Sequence, residues 1–439
     1  MIDAISPIDG RYKAKTSELA PYFSEGALIR YRILVEVEYL KHLAKIGVIS
    51  MSAEEVSAIE NVKSVTDVSR VKEIEKTTNH DVKAVEYFIK EQVKDKISTG
   101  LLEFVHFGLT SQDINNTAMP LMLKEGIEKA ILPKLEEVHD AIHHIAKQYK
   151  NIPLLARTHG QAASPTSLGK EMMVYVDRLS KQIDKLKAHE YEAKFGGATG
   201  NFNAHKVAYP HIHWPEEINQ FIGGLGLTRQ KYTTQIDQYD HIAEVLHIVS
   251  RIDTILIDFA RDIWTYVSRD FFKQKVIAGE VGSSAMPHKV NPIDFENAEG
   301  NLGMARAIYN FLAQKLPISR LQRDLTDSTV TRNLGVPLAH SLIAYKSLLK
   351  GIGKLQVNKV AIEADLESAW PVISEGIQTI LRREGFEAPY ELLKSFSRGK
   401  GKLSQEDFVS FIGELEVSEA IKSELLALSP HNYVGYSMD

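Results

Sequence analysis

The feature that most constrains the fold of this chain is one long, regular apolar seam between Asp240 and Val267. Apolar residues return there in alternating steps of three and four, the spacing that places side chains on one face of an α-helix. The seam consists of Ile242, Val245, Val249, Ile252, Leu256, Phe259, Ile263 and Tyr266. A helix of that length would run roughly 40 Å, longer than a compact domain needs, and it therefore predicts an elongated helical bundle.

Comparable stripes recur along the middle of the chain, within residues 131–149, 168–186, 298–316 and 338–352. Strand-like alternation is nearly absent, so the predicted fold class is all-α, with a central bundle of long helices. Shorter helical pieces precede and follow this bundle. The predicted domains are an N-terminal helical domain at 1–109, the long-helix bundle at 110–351 and a C-terminal helical domain at 352–439. Stretches that are apolar on more than one face, such as HIVSRIDTILIDFA, are explained equally well by burial in the bundle and by self-association.

Composition narrows the classes of function. The 439 residues include 52 lysines and arginines against 57 acidic residues, a formal net charge of −5, which lacks the basic excess typical of nucleic-acid binders. The chain has no cysteine, which excludes disulfides and thiolate zinc sites and fits a reducing compartment. The first residues have no apolar core of signal-peptide length, and no stretch reaches about 18 apolar residues. We therefore expect a cytoplasmic protein that binds neither membrane nor nucleic acid.

Polar loops interrupt the helices at six places. The densest, GSSAMPHKVNP at 282–292, sets two serines, a histidine, a lysine and an asparagine between a glycine and two prolines, so it cannot be a regular helix or strand. The others are GRY at 10–12, TTNHD at 77–81, HFGLTSQDINN at 106–116, RTHGQAASP at 157–165 and SRLQRDLTDSTVTRN at 319–333. Helix capping explains any single loop as well, with Thr110, Ser111 and Asp113 as cap candidates. Six together favour a site that gathers anions.

The chemistry that these loops allow is acid–base catalysis without a cofactor. No H-E-x-x-H motif occurs, and HIH at 211–213 lacks a carboxylate partner at ligand spacing, so no metal is expected. KFGGATGN at 194–201 lacks the ending of a phosphate loop and predicts close backbone approach instead. Lys289 supplies a fixed positive charge, Asn291 can donate hydrogen bonds, and the glycine and serine N–H groups can form a nest. This set suits removal of a proton from carbon beside a carboxylate.

GSSAMPHKVNP closely resembles the signature G-S-S-x-M-P-x-K-x-N-P of the fumarase/aspartase superfamily, whose members eliminate fumarate from succinyl compounds. TSQDINNTA and RTHGQ resemble the same superfamily, in the expected order along the chain. Within it, GRY, TTNHDVKAVEYF, MPHKVNPIDFENAEGN, RDLTDSTVTRN and the late SPHNYVGY are similar to the bacterial adenylosuccinate lyase family.

The resemblance implies a cofactor-free lyase with a three-domain fold. Its substrates would be N6-succinyl-AMP, giving AMP and fumarate, and the succinylated aminoimidazole carboxamide ribotide (SAICAR), giving AICAR and fumarate. It also implies a homotetramer in which each active site collects loops from three subunits. Two alternatives stay open: another fumarate-releasing member such as argininosuccinate lyase, and a non-catalytic helical scaffold.

The same resemblance assigns roles to single residues. Ser283 would be the general base, His159 the general acid on the leaving nitrogen, and His80 an assisting group and second candidate for the acid. Lys289 and Asn291 would hold the carboxylate beside the deprotonated carbon. The other implied substrate-binding positions are Arg11, Tyr12, Asn79, Asp81, Thr110, Ser111, Thr158, Gln235, Asn297, Arg323, Ser328, Thr329 and Arg332.

Each role has a plainer reading. Outside its motif, His159 would more often be a capping histidine or one with its hydrogen bonds satisfied in a loop, and RTHGQ reverses those odds. His288 occupies a variable position of the signature, and Ser284 can simply cap the loop. The glycine-containing Ser283 loop is expected to close over substrate, and unchanged amide exchange across 280–292 on substrate binding would contradict that closure.

Overall fold

The computed structural model describes residues 2–276, 286, 289–398 and 403–436, and most of them are helical. The first helices are α1 (Lys13–Thr16), α2 (Ala20–Phe23), α3 (Glu25–Lys45), α4 (Ala53–Glu60), α5 (Ser69–Thr78), α6 (Asp81–Val93) and α7 (Thr99–Leu102). The middle of the chain forms α8 (Ser111–Gly126), α9 (Leu132–Gln148), α10 (Leu168–Lys187), α11 (Asn203–Ala208), α12 (Trp214–Gly224), α13 (Asp240–Ser268), α14 (Ile293–Lys315), α15 (Thr326–Thr331) and α16 (Gly335–Ile352). The last helices are α17 (Lys359–Glu367), α18 (Ser374–Arg383), α19 (Pro389–Ser397), α20 (Gln405–Gly413) and α21 (Glu419–Leu426).

Within the described ranges, extended structure is confined to very short strands. They are β1 (Pro153–Leu154), β2 (Arg157–Thr158), β3 (Gln161–Ala162), β4 (Thr166–Ser167), β5 (Glu192–Ala193), β6 (Thr228–Arg229), β7 (Phe272–Gln274) and β8 (Leu355–Val357). Three pairs, β1 with β4, β2 with β3 and β7 with β8, are antiparallel, and β5 with β6 is parallel. Short 3₁₀ turns occupy Ser17–Leu19, Asn61–Ser64 and Trp370–Ile373, and a π turn at Ile127–Ile131 joins α8 to α9. The predicted all-α class is confirmed.

The apolar seam lies on α13, which begins at Asp240 as predicted and ends at Ser268. Its residues from Ile242 to Ile263 are buried, and Tyr266 at the end is half-buried. The other predicted stripes coincide with α9, α10, α14 and α16. Some loop predictions were wrong in part, because residues 326–331 of SRLQRDLTDSTVTRN form the short helix α15 and residues 111–116 of HFGLTSQDINN form the first turns of α8.

The chain divides into two compact units built from discontinuous stretches. The first contains residues 1–135, 182–254 and 300–346, and the second contains 136–181, 255–299 and 347–439. The three consecutive domains expected from the sequence stay a prediction. Among the described residues, no helix is long and apolar enough to cross a membrane.

The glycine-rich segment 194–201 packs backbone against backbone, as predicted. A Cβ on Gly200 would lie 2.5 Å from Thr233 Oγ1 and 2.6 Å from the Thr233 carbonyl oxygen. The φ of Gly200 is +76°, a region that glycine adopts without a steric penalty. A larger residue would therefore push the segment away from its neighbour.

Candidate active site

The turn between α5 and α6 fixes the orientation of His80. The chain leaves α5 through Asn79 in the left-handed region, with φ of 49°, a conformation that asparagine tolerates. His80 then caps α6, and its Nδ1 accepts a hydrogen bond from the Lys83 N–H at 3.1 Å. Because Nδ1 is an acceptor, the ring proton of the neutral imidazole lies on Nε2, which is 3.3 Å from Ser111 Oγ. His80 is therefore held as a hydrogen-bond donor towards Ser111.

His80 and Ser111 line an open cavity of about 450 Å³ in the first unit. The remaining lining residues are Glu75, Asn79, Asp81, Asn115, Arg323, Leu325, Ser328, Thr329 and Arg332. Eight of the predicted site residues thus share one cavity: His80, Asn79, Asp81, Ser111, Arg323, Ser328, Thr329 and Arg332. Its lining combines two guanidinium groups with hydroxyl, amide and imidazole donors, which suits an anionic ligand.

Asp81 and Arg332 belong to an ion cluster at one side of this cavity. Asp81 Oδ2 accepts from Arg332 Nη2 at 2.9 Å and from Arg32 Nη2 at 2.7 Å. Arg332 Nη1 also donates to Glu25 at 2.9 Å. Burial raises the pKa of the Asp81 carboxyl, but the charge of Arg32, the hydrogen bonds it accepts and the charge of Arg332 together bring that pKa below its ordinary value. Asp81 is therefore anionic at neutral pH and orients Arg332.

Arg323 is the second guanidinium of the cavity, and three neutral side chains and one carboxylate lie against it. Its Nη2 donates to Ser328 Oγ at 2.9 Å, and its Nη1 lies 3.5 Å from Gln235 Oε1. The amide of Gln112 is best oriented with its oxygen towards Arg323, where it accepts at 3.3 and 2.5 Å. In that orientation the Gln112 nitrogen donates to Asn116 Oδ1 at 3.3 Å. Arg323 is thus fixed by three neutral side chains and by a longer ion pair, with 3.7 Å between its Nε and Asp327 Oδ1.

Thr110 and Ser111 begin α8, and a buried carboxylate fixes this helix start. Asp113 Oδ2 accepts from the Thr110 N–H at 2.8 Å, which confirms the predicted capping role. Asp113 Oδ1 accepts from Lys194 Nζ at 2.7 Å and from the Gly196 N–H at 2.8 Å. Neither Asp113 nor Lys194 has any exposed side-chain surface. Burial lowers the pKa of Lys194, and the charge of Asp113 opposes that shift.

Gln235 links the glycine-rich segment to Arg323. Its Nε2 donates to the Ala198 carbonyl at 3.2 Å, while its oxygen faces Arg323 as described above. Gln235 does not line the cavity itself. It is placed to orient the arginine.

Arg11 and Tyr12 do not line the cavity that contains His80. The Arg11 guanidinium carbon lies 6.0 Å from the centroid of the Tyr12 ring. Their chain neighbours Asp9 and Lys13 line a second hollow of about 450 Å³, which also includes Arg332. Arg332 therefore borders both spaces.

The second unit carries His159 at the tip of a hairpin. Strands β2 and β3 pair Arg157 with Ala162 and Thr158 with Gln161, so His159 and Gly160 form the two-residue turn. Their φ angles are 52° and 76°, which is the backbone of a type I′ turn. Thr158 and His159 are exposed. The hairpin therefore presents the imidazole to solvent.

Lys289, Asn291 and Asn297 also belong to the second unit. Lys289 is exposed, and Asn291 and Asn297 are half-buried. Ser283, Ser284 and His288 lie outside the described residues, so the predicted general base and the loop closure stay predictions. No group of three or more metal-ligating side chains occurs within the described ranges.

Sequence reasoning missed several residues that hold the site together. Gln112 and Asn115 lie inside the TSQDINN motif, and their position one helical turn apart was a usable signal. Arg32 is only 1% exposed and donates to Asn115 Oδ1 at 2.9 Å. Its signal was an arginine inside the apolar run LIRYRILV, where a buried charge requires a partner.

Comparisons with known proteins show the family of the chain. Residues 10–308 match the family described as lyase, and residues 319–434 match the adenylosuccinate lyase C-terminal family. Adenylosuccinate lyase of Dictyostelium discoideum is 51% identical over 455 residues, covering 100% of this chain and 97% of the relative. The chain belongs to the adenylosuccinate lyase family. Adenylosuccinate lyase of Escherichia coli (strain K12) is 48% identical over 442 residues, covering 99% of this chain and 97% of that enzyme.

Solved structures of more distant proteins share the fold of this family member. Fumarate lyase from Mesorhizobium sp. BNC1 superposes with a TM-score of 0.77 at 17% identity, covering 95% of both chains. The 3-carboxy-cis,cis-muconate lactonizing enzyme from Pseudomonas putida gives a TM-score of 0.76 at 19% identity, covering 97% of this chain and 95% of the other. These similarities concern the fold alone, and they agree with the fumarase/aspartase-like architecture.

Proposed function

We propose that this lyase cleaves N6-succinyl-AMP to AMP and fumarate, and SAICAR to AICAR and fumarate. In each case a base removes a proton from the succinyl carbon next to a carboxylate, and the bond from the neighbouring carbon to nitrogen breaks. The electron pair of the C–H bond becomes the double bond of fumarate. An acid protonates the departing nitrogen, so the reaction needs no oxidant and no second substrate.

The observation that carries this proposal is the match of the whole chain, at about half identity, to relatives named adenylosuccinate lyase. The cavity of the first unit adds a physical argument. Its guanidinium groups, Arg323 and Arg332, suit the phosphate that both substrates share. Arg332 would exchange part of its contact with Asp81 and Glu25 for the ligand. The ion pair of Arg323 with Asp327 is 3.7 Å long, beyond hydrogen-bond distance, and it need not break.

His159 is the proposed general acid. Its imidazole is exposed at the hairpin tip, and no side-chain hydrogen bond occupies it among the described residues. His80 is the weaker candidate because its Nδ1 accepts the Lys83 N–H. An imidazolium carries a proton on both ring nitrogens, so charging His80 would break that helix cap. His80 fits better as a neutral donor to a substrate oxygen.

The remaining roles follow the resemblance of each motif. Ser283 is the proposed base, with Lys289 and Asn291 on the carboxylate that gains electron density. Thr158, Thr110 and Ser111 would hold succinyl oxygens. The proposed nucleotide contacts are Arg11, Tyr12, Arg323, Ser328 and Arg332, with Asn297 nearby. Asn79, Asp81, Gln235 and Thr329 are the other proposed substrate-binding positions.

A cytoplasmic homotetramer with shared active sites is part of the proposal. Met304 and Phe311 on α14 are 54% and 55% exposed in the single chain. Large apolar side chains on a long helix favour burial against another copy. The mass in solution, measured by light scattering, should be four times the chain mass.

The test is fumarate release from succinyl-AMP by the full-length chain. We expect Ser283→Ala and His159→Ala each to lower kcat by about 10²- to 10⁴-fold, the usual contribution of an acid or base. His144→Ala is the control, because His144 is an exposed histidine on α9. A wild-type chain that released arginine from argininosuccinate but no AMP from succinyl-AMP would overturn the proposal.

A further inference from the structure

The hairpin that carries His159 has little intrinsic stability. Strands β1 to β4 contain two residues each, and they form one narrow two-stranded ribbon. A two-stranded hairpin alone is at best marginally stable in water. Four residues around the tip, 158 to 161, are exposed, so packing around the tip cannot fix it. Something else must hold the ribbon if the imidazole is to keep one position.

One anchor is a two-pronged ion pair at the base of the turn. Arg157 Nη1 and Nη2 donate to Asp365 Oδ2 and Oδ1 at 2.8 and 2.7 Å. Asp365 lies on α17, and its side chain is only 14% exposed. Its Oδ1 also accepts from Arg269 Nη2 at 3.2 Å. Two parallel hydrogen bonds fix direction as well as distance, so this pair orients the β2 strand two residues before His159.

A second anchor holds the returning arm. Ser164 Oγ donates to Glu375 Oε2 on α18. The Tyr433 hydroxyl donates to the same oxygen at 3.1 Å. The carboxylate of Glu375 therefore ties the residues after β3 to the C-terminal segment. The two arms are thus attached to successive helices of the second unit.

We propose that Asp365 and Glu375 are positioning residues for the general acid. They do not touch the substrate; they hold the two arms of the hairpin so that His159 meets the leaving nitrogen at one distance and angle. This inference rests on the proposed function, because it concerns the acid of that reaction. A displacement of about 1 Å at a reacting group can cost two orders of magnitude in rate.

The test compares two variants that remove the same kind of interaction. Asp365→Asn weakens the pair with Arg157, and Glu424→Gln weakens an equally two-pronged pair with Arg383 at 3.0 and 2.6 Å. Arg383 is the last residue of α18, eight positions after Glu375, and Glu424 lies on α21 of the same unit. With succinyl-AMP as the substrate, Asp365→Asn should lower kcat by about tenfold or more with KM within about threefold. Glu424→Gln should leave both constants unchanged.

Two further variants separate positioning from stability. Asp365→Glu keeps the carboxylate, and it should recover most of the kcat that Asp365→Asn loses. Ser164→Ala removes only the hairpin side of the Glu375 contact from an exposed position, so it should fold normally and lower kcat by about threefold. Thermal unfolding of all variants is followed beside the kinetics.

Equal kcat values for Asp365→Asn and Glu424→Gln, or a wild-type rate in Ser164→Ala, would overturn the inference while leaving the reaction intact. If the wild-type chain does not cleave succinyl-AMP, the proposed function itself fails. If Asp365→Asn does not fold, Ser164→Ala decides the question alone.

Discussion

Behind the cavity of the first unit, charged side chains are buried and each has more than one partner, whereas the His159 hairpin of the second unit is exposed and, among the described residues, is held by two side-chain contacts. Arg32 and Lys194 lie almost entirely inside the protein, and Asp113 accepts hydrogen bonds from side chain and backbone alike. On the hairpin, Thr158 and His159 are exposed, and the anchors are Asp365 and Glu375.

The difference corresponds to two tasks. An anion-binding site works best when its donors are fixed before the ligand arrives, because no reorganisation is then needed at the moment of binding. A group that delivers a proton must instead reach a substrate held elsewhere, and an exposed hairpin allows that. Variants in the cavity should therefore disturb stability and binding, and variants in the hairpin should disturb turnover.

The largest effect is expected from the buried pair behind the cavity. Lys194→Met leaves Asp113 without its cation, and breaking a buried pair in this way typically costs about 3–5 kcal/mol. Urea unfolding at fixed chain concentration measures the loss. Arg383→Met, which breaks an exposed pair with Glu424, should cost less than about 1 kcal/mol. Similar losses of unfolding free energy in the two variants would contradict a stronger stabilising role for the buried pair.

The next effect concerns binding. Arg323→Lys replaces a guanidinium that contacts Ser328 and Gln112 by a single ammonium, and it should raise KM for succinyl-AMP by about 10- to 100-fold with a smaller change in kcat. Arg320→Lys is the matched control, since Arg320 is 79% exposed and pairs only with Asp324 in the described structure. A fall in kcat with no change in KM would contradict a binding role for Arg323 and indicate a role in the chemical step.

A third prediction concerns a buried carboxyl that links α13 to α16. Burial raises the pKa of Asp253 on α13 to about 7. Hydrogen bonds from Ser341 Oγ at 2.6 Å and from the Tyr345 hydroxyl at 2.8 Å, together with the charge of Arg306, lower that pKa, but by less than burial raises it. Between the unfolded value of 3.8 and about 7, the folded protein keeps a proton that the unfolded chain loses. This contribution to stability is complete below the lower value and is lost as the pH rises towards the upper one.

Asp253→Asn replaces the carboxyl by an amide that does not titrate, so the variant lacks this dependence of stability on pH. Between pH 5 and 7, the unfolding free energy of the wild type should therefore fall relative to the variant by about 1.4 kcal/mol per pH unit at most. Urea midpoints at several pH values measure the difference. Parallel curves for the two proteins would show that the carboxyl titrates normally.

The smallest effect separates the two roles of His80. His80→Ala loses both the helix cap and the Nε2 donor. Because asparagine is a good N-cap residue, His80→Asn loses only the donor. Both variants should lower kcat/KM for succinyl-AMP by about tenfold, and only the alanine variant should lose about 1 kcal/mol of stability. Equal thermal unfolding of the two would contradict the cap on α6.

The two regions also differ in how far the sequence predicted them. The helices were predictable because seams such as that on α13 repeat a single period over many residues. The motifs marked Arg157, His159 and Arg332, but not the carboxylates that pair with the two arginines. Asp365 meets Arg157 across 208 positions, and Arg332 meets Glu25 across 307. Pairings at such separations depend on the tertiary fold, and a short polar segment such as α15 follows packing more than propensity.

Whether the two regions complete one active site in the assembled enzyme can be measured with a mixture of variants. Arg323→Ala lacks a proposed binding residue of the first unit, and His159→Ala lacks the proposed acid of the second unit. The two variants are unfolded together and refolded as mixed tetramers. If different chains supply the two regions, about one quarter of the sites receive both intact parts, and fumarate release should return to about one quarter of the wild-type rate. A mixture no more active than the average of its two components would contradict shared sites.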